Sequence, residues 1–175
     1  VTHFMAHLPF YWIDAFTTRA FGGNPAAIVP LSAWLPDDQL QQLATQHGLS
    51  ETAYYVPTAD GFHLRWFTPK CEVDLCGHAT LAAAAVVFDR SPDVRQISFE
   101  SQSGLLTVTK DEFDRAVLDF PSRPPAAAEH DDQTAELLAA LGLRDADWIG
   151  KSRDHLVVLP DQKSLSALQP DFGRL

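Results

Sequence analysis

The sequence predicts an α+β fold in which strands wrap a central apolar helix, and three observations carry that prediction. The run ATLAAAAVVF (79–88) has no polar face, and a helix apolar on every side must be buried all round. Alternating, β-rich segments stand before and after it in the chain, enough strand to supply the wrapping. Of the 175 residues, 46% are hydrophobic and 21% charged, the balance of a globular chain with material for a core.

Tyr11 to Phe16 (YWIDAF) is aromatic and β-rich and reads as the first strand. FGGNP (21–25) then breaks the chain, because two glycines permit unusual backbone angles and Pro25 pushes Asn24 toward an extended shape. AAIVPL (26–31) is a second short strand. Pro36-Asp37-Asp38 starts a helix, with proline in the first turn and acids near the positive end of the dipole. Leu40, Leu43, Ala44 and His47 follow at helical spacing, and Gly48 stands where a C-cap glycine belongs, so the helix covers 36–47. TAYYVP (52–57) and FHLRWF (62–67) are strands joined by a turn at Ala59-Asp60-Gly61. After the apolar helix, 97–101, 105–109 and 116–120 alternate as strands. PSRPPAAAEH (121–130) is a Pro- and Ala-rich connector. Asp131-Asp132 caps a helix through Leu141 that stops at Gly142, and HLVVLP (155–160) is one more strand. One helix and one strand make a poor domain. The expected division is therefore a lobe over 1–122 and the start of a second, incomplete lobe over 123–175.

The formal net charge of −10 argues against nucleic acid or an anionic membrane as partner. The longest apolar run is far shorter than the ~20 residues a spanning helix needs. Val1 to Pro9 lacks a basic start and a long apolar core. With only Cys71 and Cys76, too close together to staple a fold, the expected location is the reducing cytoplasm.

Gly77 and His78 open the apolar helix, where unpaired N–H groups and a partial positive charge make a ready anion site. Gly77 lets a ligand approach the backbone, and His78 adds an imidazole that exchanges protons near neutral pH. The same two residues also read as a tight-turn glycine and a helix cap. Glu51, between the capped helix and an aromatic strand, is a carboxylate that a pocket would turn into an acid–base group, although spacing alone makes it a loop Glu on the surface. Cys76 reads as a thiol acidified by the helix N-terminus or as a small buried hydrophobe. A metal site from Cys71, Cys76, His78 and His63 lacks any ligand motif, so no metal is expected. Gly22-Gly23-Asn24 lacks the Gly-Lys-Ser/Thr end of a phosphate loop. His3, His7, His47, His130 and His155 read as surface or packing residues, and Trp12, Trp34, Trp66 and Trp148 as core.

Three segments together, DAFTTRAFGGNPAAIV (14–29), LSETAYYVP (49–57) and RWFTPKCEVDLCGHATLAAA (65–84), resemble the PhzF-like phenazine-biosynthesis family, relatives of diaminopimelate epimerase. IGKSRDHLVVLP (149–160) and LQPDFGRL (168–175) are similar to the opening of that family's second domain. The resemblance implies two similar lobes, each a mixed sheet curled around a central helix, with the active site in the cleft between them. It implies an isomerase working without cofactor on a small carboxylic substrate. Glu51 takes the position of the acid/base glutamate, His78 that of the active-site histidine and Gly77 that of the substrate-holding amide. Ser50, Asn24 and Cys76 complete the implied substrate-binding set. The family's second lobe brings an aspartate and a glycine-serine stretch to the cleft, and the sequence stops before them.

The leading expectation is thus an acid–base isomerase, and the resemblance also implies a homodimer. A thiol-based racemase or epimerase using Cys76 is the alternative, although the second thiol an epimerase needs is absent. The other reading is a truncated, catalytically silent lobe that binds a ligand, a second copy or a missing second lobe.

Overall fold

A computed structural model describes residues 7–175. His3, and the first part of the Val1 to Pro9 stretch read above for a leader, lie outside the described residues. The chain divides into two compact units, Val1–Phe120 and Pro121–Leu175.

The first unit runs β1 (Tyr11–Ala15), β2 (Asn24–Pro30), α1 (Asp37–His47), β3 (Glu51–Pro57), β4 (Phe62–Phe67), β5 (Glu72–Val73), α2 (Gly77–Arg90), β6 (Gln96–Ser101), β7 (Gly104–Lys110) and β8 (Ala116–Asp119). These strands form one mixed sheet in the order β1-β2-β3-β4-β6-β7-β8, with β5 beside β4. Two pairs, β2 with β3 and β4 with β6, are parallel. Parallel neighbours need a crossover connection, and α1 and α2 lie in those two crossovers.

The two helices take opposite faces of the sheet. Ala26, Ile28, Ala53, Tyr55, Leu64 and Trp66 pack with the alanines and valines of α2. Val29, Tyr54 and Phe67, from the alternate positions of the same strands, pack with Leu40 and Ala44 of α1. Strands buried on both faces have no polar side, which is why 26–31 and 52–57 read as nearly continuous apolar runs. β1 and β8, the two ends of the strand order, both contact α2, so the sheet curls around that helix.

The curl does not close. Leu81 is half-buried and Ala85 is exposed, and both line an open cleft with Ile13, Ala15 and Ala116. The expectation of a helix buried all round is therefore corrected: one stripe of α2 faces the gap between β1 and β8. Alanine tolerates this, because it offers little apolar surface to water.

Local chemistry explains the boundaries. Gly48 ends α1 in the left-handed conformation (φ 66°) and donates its N–H to the Ala44 carbonyl at 3.2 Å. Pro36 is the N-cap, one position outside the first turn where the sequence placed it. Gly23 has φ 72°, and a Cβ there would collide with the Ala15 carbonyl, so the FGGNP break requires glycine at that position.

The second unit contains β9 (Ala126–Ala127), α3 (Asp132–Ala140), β10 (Trp148–Lys151), β11 (His155–Val158) and α4 (Gln162–Ser166). Its strands form an antiparallel sheet in the order β11-β10-β9. Asp131 caps α3 reciprocally: its carboxylate accepts from the Thr134 N–H at 2.9 Å while Thr134 Oγ1 accepts from the Asp131 N–H at 3.0 Å. β9 lies in what read as a plain connector, and β10 and α4 were not anticipated. The unit is accordingly more than one helix and one strand.

The tryptophans divide. Trp66 is fully buried, but Trp12 is 56% exposed and Trp148 36% exposed, so the reading of all four as core is corrected. Trp34 is half-buried, with the Arg65 guanidinium over its ring. Among the described residues, no helix is long and apolar enough to cross a membrane.

Candidate active site

Glu51 is the first residue of β3, and the parallel register sets it opposite Ala26 of β2. Partners in register share a face, and Ala26 belongs to the core around α2, so the Glu51 side chain projects toward that helix. Asn24, two residues before Ala26, occupies the same face of β2 and is half-buried. Ser50 is exposed, one residue before the strand.

The start of α2 meets this strand end. Cys76 is the N-cap in extended conformation and makes no side-chain capping hydrogen bond, and no acidic residue stands in the first turn. The positive end of the helix dipole is therefore not neutralised from within its own sequence. Thr80 secures the turn, donating from Oγ1 to the Cys76 carbonyl at 2.6 Å. Gly77 is the first helical residue, and a Cβ there would lie 3.2 Å from the edge of the Phe120 ring. A side chain there would therefore press on the Phe120 ring, which would have to shift slightly.

His78 points inward and is 9% exposed. Its Nδ1 lies 3.4 Å from Cys76 Sγ and its Nε2 lies 3.3 Å from Glu51 Oε2. The second contact is within ion-pair distance but is not aligned as a hydrogen bond. As a result Glu51 Oε2 and His78 Nε2 are both buried without a hydrogen-bond partner, and the Trp66 indole nitrogen is the other such atom among the described residues. Leaving a buried polar atom unpaired costs about 1–3 kcal/mol, so two of them side by side are a costly arrangement within the fold.

The structure thus brings Glu51, Cys76 and His78 together, with candidate donor atoms all within 4.8 Å of one another. Cys71 is exposed, and the His63 ring packs edge-on against Trp34, so the four-residue metal set weighed from the sequence does not assemble. A metal on the assembled trio would require the Cys76 thiolate. Burial first, and then the Glu51 carboxylate, push that thiol up to about 12. Of the two sequence readings of Cys76, burial favours the small buried residue over the acidified thiol: the nearby Ala79 N–H does favour the thiolate, but desolvation and a neighbouring anion outweigh it.

Two residues of the site were missed in the sequence. Phe120 gave no signal, since its place over Gly77 depends on strand pairing across the sheet. Thr80 was readable in principle, because a threonine four residues after an N-cap can bond back to that residue's carbonyl.

The family described as phenazine biosynthesis-like protein (PhzC-PhzF) matches residues 13–175. The chain is 44% identical to a Pseudomonas aeruginosa protein named an uncharacterized isomerase, over 96% of this chain and 63% of that protein. It is 40% identical to a rat phenazine biosynthesis-like domain-containing protein, over 93% of this chain and 60% of that protein. The crystal structure of an Enterococcus faecalis protein of the PhzF family superposes with a TM-score of 0.85 at 43% identity, covering 96% of this chain and 63% of that one. A Pseudomonas aeruginosa protein described as a predicted epimerase shares the fold, with a TM-score of 0.66 at 18% identity. The chain spans less than two thirds of the length of these relatives.

Proposed function

The chain belongs to the phenazine biosynthesis-like (PhzF) family, and we propose that it supplies the Glu51–His78 side of an isomerase site that moves a proton on a small carboxylic acid. In this reading Glu51 is the base that removes the proton and returns it. The N-terminus of α2, opened by Gly77, binds the substrate carboxylate or the negative charge that develops on an enolate. His78 directs its free Nε2 at the reacting group, and Asn24 and Ser50 complete the rim. The relatives named as isomerases support the reaction class. The observation that carries the proposal is the pair of buried, unpartnered atoms, Glu51 Oε2 and His78 Nε2, beside an uncapped helix start.

General acid–base isomerisation exchanges a substrate hydrogen with solvent. Incubation in heavy water with a panel of small amino and unsaturated carboxylic acids, followed by NMR, is expected to show deuterium entering one acid. Glu51→Gln is expected to retain binding and lose the exchange. A fully active Glu51→Gln would remove Glu51 from the mechanism. Binding without exchange in the wild-type chain would instead identify a ligand-binding lobe. The thiol-based racemase is the weaker reading, because a thiol pushed up to about 12 is a poor source of thiolate at neutral pH. Its mark would be loss of exchange in Cys76→Ser as well as in Cys76→Ala, since a serine hydroxyl keeps a hydrogen-bond donor there but supplies no thiolate base.

A further inference from the structure

We propose that Cys76 is a positioning residue: its thiol donates to His78 Nδ1 and so holds the imidazole as the neutral tautomer whose proton sits on Nε2, facing Glu51. The inference takes its catalytic meaning from the acid–base reading of Glu51 and His78, but its geometry is independent of any substrate.

A neutral imidazole carries one ring proton, and the partner of one nitrogen decides the state of the other. Here both nitrogens have a specific neighbour. Sγ lies 3.4 Å from Nδ1, and Oε2 lies 3.3 Å from Nε2. If the proton were on Nδ1, it would point at sulfur, and the bare lone pair of Nε2 would face a carboxylate oxygen in a buried site. Two electron-rich atoms would then oppose each other without water to screen them. With the proton on Nε2 the same contact becomes attractive, and Nδ1 becomes an acceptor for the thiol. Cys76 is 7% exposed, and burial with the nearby carboxylate keeps the thiol protonated and able to donate. Backbone geometry holds the sulfur in place: Cys76 is the extended N-cap, and its carbonyl is held by Thr80 Oγ1.

The thiol has a second acceptor within reach, the Glu51 carboxylate. Were its proton committed there, Nδ1 would have to donate to sulfur, and the tautomer would invert. The two arrangements therefore predict opposite protonation of the same ring. In the proposed one, a fixed N–H donor stands beside a carboxylate base before any substrate arrives.

The test is the ring nitrogen spectrum of His78 in the protein uniformly labelled with nitrogen-15, recorded near neutral pH without ligand. Assignment comes from the signal lost in His78→Gln. The expected result is a bare, hydrogen-bond-accepting Nδ1 and a protonated Nε2. In Cys76→Ala the Nδ1 resonance should lose the displacement caused by its hydrogen bond, and Cys76→Ser should restore it, since a hydroxyl donates in the same direction. A protonated Nδ1 in the wild-type protein, or an Nδ1 resonance indifferent to Cys76→Ala, overturns the proposal. The wild-type ring spectrum decides the first point even if the alanine variant folds poorly. Failure of the Glu51→Gln exchange experiment would leave this result standing, so the two ideas fail separately.

Discussion

Raising the pH while comparing the wild-type chain with Cys76→Ala reads the buried thiol directly. Desolvation, followed by the Glu51 carboxylate, moves the group from its ordinary 9.0 up to about 12 in the folded protein. On unfolding the thiol meets water and returns to its ordinary value. Below that value both states hold the proton, and the group adds no pH dependence. Above it the unfolded chain binds fewer protons than the folded one, so stability falls as pH rises, by about 1.4 kcal/mol per pH unit. Between about pH 9 and about pH 10.5 the wild-type protein should therefore lose about 2 kcal/mol relative to Cys76→Ala, and about 4 kcal/mol by the folded-state value. Urea unfolding followed by tryptophan fluorescence, at a series of pH values, measures both proteins. Lysine and tyrosine titrations are common to the pair and drop out of the difference. A difference that stays flat across the interval, or that grows in favour of the wild type, would refute the argument that burial dominates over the helix dipole. Alkylation offers an internal control, because the exposed Cys71 should react readily with iodoacetamide at neutral pH while Cys76 resists.

Two further substitutions test the helix ends. Gly77→Ala gains up to about 1 kcal/mol of helix propensity and spends part of it displacing the half-exposed Phe120 ring, so stability should change by less than about 1 kcal/mol. Affinity for a small carboxylate at the α2 start should nevertheless fall about tenfold, roughly 1.4 kcal/mol, as read by NMR titration; unchanged affinity would place the ligand elsewhere. Asp131→Ala removes the reciprocal cap of α3 and should loosen that helix, seen as faster amide exchange confined to 132–140. Exchange as slow as in the wild type would show that the cap contributes nothing.

Much of the fold was legible because it rests on local chemistry. Gly48 in the left-handed conformation, acids at the head of α1 and the Asp131 cap each act through their own neighbours, and each was readable where it stands. The alternating strands and the helix after Cys76 were legible for the same reason. Elements that exist only through a partner were not. Ala126–Ala127 is a strand because Gly150–Lys151 pairs with it, and nothing in a Pro- and Ala-rich run says so. Glu72–Val73 is likewise defined by Trp66–Phe67.

The site shows the same division. Sequence by itself determined that a glycine and a histidine would open an apolar helix, with a cysteine before them and a glutamate in the junction between a capped helix and a strand. Only the tertiary structure decided what those residues are to one another. The register Ala26↔Glu51 aims the carboxylate at α2, and α2 packed on that face brings His78 within 3.3 Å of it. The chemistry of Cys76 changed sign in that step. Taken with its helix alone, the thiol is acidified; placed in the core beside an anion, it keeps its proton. Desolvation and charge proximity are properties of a packed environment, and a linear pattern does not contain them.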